Sequence, residues 1–255
     1  MPTADPIYNA VIIGMFILAA IVFVALYRVD AGYGMFRSKR WGPSLDNRLA
    51  WVFMEAPAFL ITMAVWICSP RQWDIAPLAI FLLFELHYFQ RAFVFPLLIK
   101  GKGRMPVAIM AMGMVFNLLN AYVQGRWLFY LAPEGMYSPA WLCSWQFIAG
   151  CALFLTGMFI NIRSDSIIRS LRKPGDTRHY LPRGGMYDYV TSANYSGEIV
   201  EWAGYALMTF SVPGLLFLVW TAANLVPRAD AIYRRYKQEF GDELGRRKRI
   251  FPFIY

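Results

Sequence analysis

Asn194, Glu198, Glu201 and Tyr205 stand at i, i+4, i+7 and i+11 in the run Asn-Tyr-Ser-Gly-Glu-Ile-Val-Glu-Trp-Ala-Gly-Tyr. On a helix that spacing makes one continuous polar stripe, with the other faces apolar. Two carboxylates a turn apart in such surroundings are costly unless cations or hydrogen-bond donors meet them. Comparable groups interrupt other apolar stretches. Glu55 lies within Trp-Val-Phe-Met-Glu-Ala-Pro, and Glu85, His87, Tyr88, Gln90 and Arg91 crowd into one short segment. His87 and Arg91 are spaced i,i+4, Glu85 and Tyr88 i,i+3. Asn117, Asn120 and Gln124 share a helical face, as do Asn161 and Asp165. Carboxylate and amide groups of this kind can hydrogen-bond a ribose, an adenine or a carboxamide. Basic residues in the neighbouring loops, Arg169, Arg172 and Lys173 among them, suit a phosphate. Taken singly, Asn117, Asn120 and His87 also read as interhelical hydrogen-bonding residues, and the loop basics as topology determinants. The stripe as a whole implies something polar entering from one side. There is no Gly-x-Gly-x-x-Gly and no Gly-x4-Gly-Lys-Ser/Thr, so a nucleotide site here would be built from helices and loops in a non-Rossmann manner.

The elements that must position these groups follow from composition. Of 255 residues 58% are hydrophobic and only 16% charged, yet the net charge is +9. A globular chain averages about 25% charged residues, and this one could not cover its own surface in water. Disorder and a fibrous chain are excluded by the same figures. An integral membrane protein remains. Cys68, Cys143 and Cys151 are odd in number and sit in or beside apolar stretches; they read as buried thiols, not a disulfide framework. Only His87 and His179 are present, without HExxH or CxxC, so no metal site is expected. The first apolar run lacks a preceding basic region and reads as a retained helix, not a cleaved signal peptide. No nucleic-acid motif accompanies the basic excess, and no internal repeat or linker divides residues 1–255, which read as a single unit.

Spanning helices need about 20 mostly apolar residues. The spans expected are Tyr8–Tyr27, Leu49–Cys68, Ile75–Leu98, Met105–Gln124 and Trp141–Ile162, followed by a polar stretch and then Ser192–Val226, broken by Ser211-Val212-Pro213-Gly214 into two. With seven spans, 22 of the 25 basic residues fall on one side. With six, the eight in the tail from Arg228 would be on the wrong side. The expectation is therefore an all-α membrane protein of seven helices, N-terminus outside and C-terminus cytoplasmic, in contact with membrane lipids.

The segment Arg183-Gly-Gly-Met-Tyr-Asp-Tyr-Val-Thr-Ser-Ala-Asn194-Tyr-Ser-Gly-Glu198-Ile-Val-Glu201-Trp-Ala-Gly-Tyr closely resembles the C-terminal signature of the steroid 5α-reductases (3-oxo-5α-steroid 4-dehydrogenases). Gly32-Tyr-Gly34, His87-Tyr-Phe-Gln-Arg91, Asn161-Ile-Arg-Ser-Asp165, Leu171-Arg-Lys-Pro-Gly175 and Pro252-Phe-Ile-Tyr are similar to other family segments. The resemblance runs through nearly the whole chain. It implies a seven-helix enzyme that binds NADPH from the cytoplasmic side, transfers hydride to C5 of a Δ4-3-ketosteroid and lets C4 take a proton. It implies Glu55 and Tyr88 at the 3-keto oxygen, Glu55 then carrying its proton as a donor. It also implies cofactor contacts at Asn161, Asp165, Arg172, Asn194, Glu198 and Tyr236, with Arg104 and Tyr33 as further positions. Arg172 and Arg104 would be the phosphate partners, and Glu201 would support Glu198. Met54 stands where the family often has Gln, His179 where Tyr is common and Ile232 where His is common. These departures imply a lighter carbonyl clamp and a differently made cofactor lid.

The same resemblance leaves room for a reductase of polyprenols, sterols or enoyl-CoA. A different class is a seven-span receptor or retinal protein; a retinal protein would need an intramembrane lysine, and all six lysines lie in polar segments. A transporter would more typically show repeats and matched broken helices. No obligate protein partner is implied. The membrane would be the plasma membrane in a bacterium and the endoplasmic reticulum in a eukaryote.

Overall fold

The computed structural model describes residues 5–30, 32, 34–36, 38–171 and 180–255. Seven long helices account for most of them: α1 (Pro6–Leu26), α2 (Asn47–Ile67), α3 (Ile75–Leu98), α4 (Val107–Leu131), α5 (Trp145–Leu171), α6 (Ala193–Thr209) and α7 (Val212–Phe240). All except α6, which has 17 residues, are long and apolar enough to cross a membrane. Their outer faces carry Ile13, Ile17, Phe53, Leu60, Leu82, Val115, Leu155 and Phe159, all exposed. That is the surface a bilayer, not water, would cover.

Helix starts are fixed by local chemistry. Asp5 caps α1, its carboxylate accepting from Tyr8 N at 3.0 Å, with Pro6 in the first turn where its missing N–H costs nothing. Asp46 caps α2. It also ends β1 (Ser44–Asp46), which pairs antiparallel with β2 (Arg104–Pro106). This two-stranded clip holds the starts of α2 and α4 side by side and sets their register. α3 contains a π turn at Gln90–Val94, and α4 ends in another at Trp127–Leu131. The expected break between the last two helices is present, one residue early. Phe210 adopts the left-handed region (φ 44°), and Ser211 then caps α7 through Gly214 N at 3.1 Å.

Several boundaries differ from the sequence reading, α4 running on from Gln124 to Leu131 among them. α5 begins at Trp145, Trp141 falling in a short 3-10 turn, and runs nine residues beyond Ile162 to Leu171. α7 continues past Val226 to Phe240. A hydropathy window ends where polarity begins, whereas a helix continues as long as its polar side chains find partners. At about 1.5 Å per residue α5 is about 40 Å long, beyond the roughly 30 Å of a hydrocarbon core. The cysteines differ too: Cys68 and Cys143 are exposed and Cys151 is half-buried. A small apolar side chain sits as well against lipid as in a core.

α5 and α6 run antiparallel with their backbones in direct contact. A Cβ on Gly157 would come within 2.2 Å of Glu201 N, one on Gly197 within 2.5 Å of Asn161 N, one on Gly150 within 2.5 Å of Met208 N and one on Gly204 within 2.3 Å of Phe154 N. These four glycines, at i and i+7 on each helix, form a seam that brings Asn161 and Asp165 up against Asn194 and Glu198. The main core packs beside it, around Phe84, Phe129, Phe154, Trp202, Tyr205 and Phe217. The chain's last residues return to the start of α6: Thr191 N donates to Lys248 O (2.9 Å) and Ser192 N to Arg249 O (3.0 Å).

Candidate active site

A cavity of about 230 Å³ opens between α2, α3, α4, α5, α6 and α7. Glu55, Tyr88, Asp165, Asn194 and Glu198 all line it, five of the residues singled out from sequence, contributed by four helices.

The polar groups form two systems. The first joins α2, α3 and α4. Gln124 Nε2 donates to Asn120 Oδ1 (3.2 Å) and to the carbonyl of Pro213 (2.9 Å). Asn120 Nδ2 donates to the Tyr88 hydroxyl (3.2 Å), which donates to Asn117 Oδ1 (3.1 Å). Asn117 Nδ2 donates in turn to Glu55 Oε2 (3.0 Å) and to Met54 O (2.8 Å). The amide face at i, i+3 and i+7 on α4 therefore links Tyr88 to Glu55.

The second system joins α3, α5 and α6. Arg91 Nη1 meets Asp165 Oδ2 at 3.1 Å and Arg91 Nη2 lies 3.8 Å from Glu198 Oε2. Its guanidinium lies 4.6 Å from the ring centres of both Trp51 and Phe95, which shields it from water and strengthens the pairing. Asn194 Nδ2 donates to Asp165 Oδ1 (3.1 Å), and Asn161 Nδ2 to Asn194 O (2.9 Å) and Glu198 Oε2 (3.4 Å). Asn161 thus stands behind the wall and fixes the two residues that form it. Glu201, wholly buried, bonds His87 Nδ1 at 2.7 Å.

Between the two systems the wall is aromatic and aliphatic: Phe116, Phe217, Trp220 and Trp202 with Met54 and Leu225. A surface of this kind accepts a flat apolar molecule and keeps water away from polar groups at its edge.

Other positions fall elsewhere. Arg104 lies exposed on β2, donating to Ser44 Oγ at 3.1 Å and to the Ser44 carbonyl. Tyr236 packs with Leu181 and Leu244 beyond the cavity, and Ile232 is its neighbour. Arg172, Tyr33 and His179 lie outside the described residues. Glu85 points away from Tyr88, to Thr62 on α2. Arg228, Asn224 and Thr221 line the cavity without having been singled out. Arg228 reads in the sequence as the first basic residue of a tail because the apolar run ends at Val226, whereas the helix continues through it to Phe240. A second cavity, about 460 Å³ beside Arg71, Asp74 and Glu134, lies at the opposite ends of α2 and α3 and holds none of these groups.

The family model for 3-oxo-5-alpha-steroid 4-dehydrogenase matches residues 103–255. Steroid 5-alpha-reductase DET2 of Gossypium hirsutum is 34% identical over 260 residues, covering 100% of both chains. 3-oxo-5-alpha-steroid 4-dehydrogenase 1 of Mus musculus is 38% identical over 93% of this chain and 92% of its own. 3-oxo-5-alpha-steroid 4-dehydrogenase 2 of Sus scrofa is 39% identical over 97% of each.

Proposed function

The chain belongs to the 3-oxo-5-alpha-steroid 4-dehydrogenase family, and on that footing we propose that it reduces the Δ4 double bond of 3-oxo-Δ4-steroids with NADPH, within seven spans whose C-terminal end is cytoplasmic. It is an oxidoreductase acting on CH–CH groups. One observation supports the reading above others: Glu55 and Tyr88, on different helices, are joined through Asn117 on the wall of a cavity that also bears Asp165, Asn194 and Glu198.

In this reading the 3-keto oxygen sits between Tyr88 and Glu55, the latter carrying its proton as a second donor. Negative charge gathers on that oxygen as the double bond is reduced. With substrate bound, the Tyr88 hydroxyl turns its hydrogen from Asn117 Oδ1 to that oxygen, and a donor held at this position stabilises the transition state more than the ground state. Asn120, donating to the Tyr88 oxygen, polarises the phenol and strengthens it as a donor. Phe116, Phe217 and Trp220 would cover the steroid's apolar faces.

The donor set fits the cofactor. Asp165 and Glu198 offer acceptors to a carboxamide N–H, and Asn194 and Asn161 hold them in place. Arg228 brings a guanidinium to the same wall, and Arg172 is assigned to the phosphates with it. Tyr236 lies eight residues beyond Arg228 on α7, about 12 Å further along the helix, where the far end of a dinucleotide would reach. Bound NADPH supplies the hydride that goes to C5. Sidedness rests on the 22 basic residues of one face, with α6 completing the odd number of spans.

Purified protein supplied with NADPH is expected to convert progesterone, testosterone or a related enone into the 5α-reduced product. Reduced nicotinamide left unconsumed across enone steroids, polyprenols and enoyl thioesters would end the enzymatic reading. Asn194→Leu is expected to weaken NADPH binding about tenfold, the order expected when a hydrogen bond to a charged group is lost. Fluorescence titration measures this directly, and an unchanged dissociation constant would remove Asn194 from the cofactor site.

A further inference from the structure

The pairing of His87 with Glu201 has no part in the mechanism above. It joins α3 to α6 at 2.7 Å through His87 Nδ1. Glu201 is 0% exposed, and its second oxygen has no hydrogen-bond partner. A buried acid half-satisfied in this way is an expensive strut. Its partner's ring is not enclosed: His87 lines the cavity next to Tyr88, held against Trp202 with ring centres 4.5 Å apart. With Nδ1 turned to the carboxylate, Nε2 is the nitrogen left for the cavity. A carboxylate behind an imidazole fixes which ring nitrogen faces away from it.

We propose that His87, held by Glu201, is the group that gives a proton to C4 of the steroid as C5 receives hydride; this rests on the reductase reading. The cavity's other acids are committed. Glu55 and Tyr88 serve the keto oxygen, while Asp165 and Glu198 pair with Arg91. C4 is bonded to the carbonyl carbon that Tyr88 locates, and His87 is the adjoining residue, its ring centre 5.1 Å from that of Tyr88. The charged and titratable groups facing the imidazole are Glu201 and Glu198 from α6, Arg91 and Tyr88 from α3, and Glu55 from α2. With Arg91 already bound to acids, an imidazolium is matched by Glu201 alone.

The step balances. The Nε2–H bond breaks and a C4–H bond forms with the electron pair of the enolate, whose C3–O bond returns to a carbonyl. Neutral imidazole is left bonded through Nδ1–H to Glu201, and water reaching the cavity restores its proton. The reduced nicotinamide, oxidised as C5 is reduced, is the only redox partner required.

His87→Gln keeps a side chain able to reach Glu201 but cannot deliver the proton. It is expected to lower kcat about 100-fold, the range of a lost general acid, with the NADPH dissociation constant within threefold of wild type. The solvent deuterium isotope effect on kcat is expected to rise, because protonation of C4 becomes the slow step. Glu201→Gln, which removes the charge behind the ring, is expected to show the same pattern at about tenfold. Turnover within threefold of wild type, an unchanged isotope effect, or a loss of NADPH affinity in step with turnover would each overturn the proposal. A wild-type enzyme inert on every enone would instead remove the reductase reading itself.

Discussion

Tyr88→Phe is expected to lower kcat on an enone steroid by roughly 10²–10³-fold, the loss typical of removing one donor from a developing oxyanion. The dissociation constant for NADPH should stay within a few-fold, since the groups assigned to the carboxamide are on α5 and α6. The substitution removes one oxygen and leaves the ring that packs 4.7 Å from Phe84. It also takes a partner from both Asn117 and Asn120, each of which keeps another: Asn117 still donates to Glu55 and Met54, and Asn120 still accepts from Gln124. The fold should therefore survive with a stability cost of about 1–3 kcal/mol. Single-turnover measurements with saturating NADPH separate the two effects. A variant whose chemical step matches wild type while only KM rises would remove Tyr88 from the transition state and leave it a binding contact.

The second large effect is on folding. Gly157→Val would place a branched side chain where a lone Cβ already comes within 2.2 Å of Glu201 N. Backbone cannot yield as a flexible side chain can, so the helices must part. A cost of at least about 3 kcal/mol, the top of the usual overpacking range, is expected. Separation of α5 from α6 also pulls Asp165 and Asn161 from Asn194 and Glu198. The measurable outcome is loss of the monodisperse, NADPH-binding species in detergent. Gly14→Ala is the control: that glycine is also inside a long apolar helix, but nothing lies within 4 Å of an added Cβ. There the change should be neutral, or stabilising by up to about 1 kcal/mol through helix propensity. Equal behaviour of the two variants would show that the seam tolerates bulk and does not set the packing.

The helices were legible because apolar run length and Pro-Gly punctuation act locally. The polar stripe of α6 was legible because its period is fixed by the helix itself. Partner choice was not. Glu85 and Tyr88, at i and i+3, lie only about 60° apart around α3, yet one meets Thr62 on α2 and the other the amides of α4. A helix enclosed on several sides changes neighbour within that angle, and no spacing rule says where. The link from Tyr88 to Glu55 through Asn117 depends on the register of α2 against α4, set by the short β1–β2 clip. Three residues a strand are too few to stand out in a sequence. The aromatic wall of Phe116, Phe217 and Trp220 has no signature in a chain with twenty phenylalanines and nine tryptophans. Arg104 and Tyr236 came from family likeness alone, and neither lines the cavity that gathers the others.

The glycine seam also bears on biogenesis. α6 carries Asn194, Glu198 and Glu201 along 17 residues, and each carboxylate costs about 2.5–3.5 kcal/mol to bring into lipid on insertion scales. Alone at the translocon such a segment would stay at the interface. α5 precedes it and is long and apolar enough to be retained unaided. With the seam allowing main chain to meet main chain, α6 can enter as the second arm of a hairpin, Glu198 passing directly from water to Asn161 and Arg91 and Glu201 to His87. A side chain at Gly157 or Gly197 would then act before any tertiary fold exists. On the proposed seven-span topology it would misplace up to the last quarter of the nascent protein, from Ala193 onward, and quality-control proteases would meet a topological error, not a loosened enzyme.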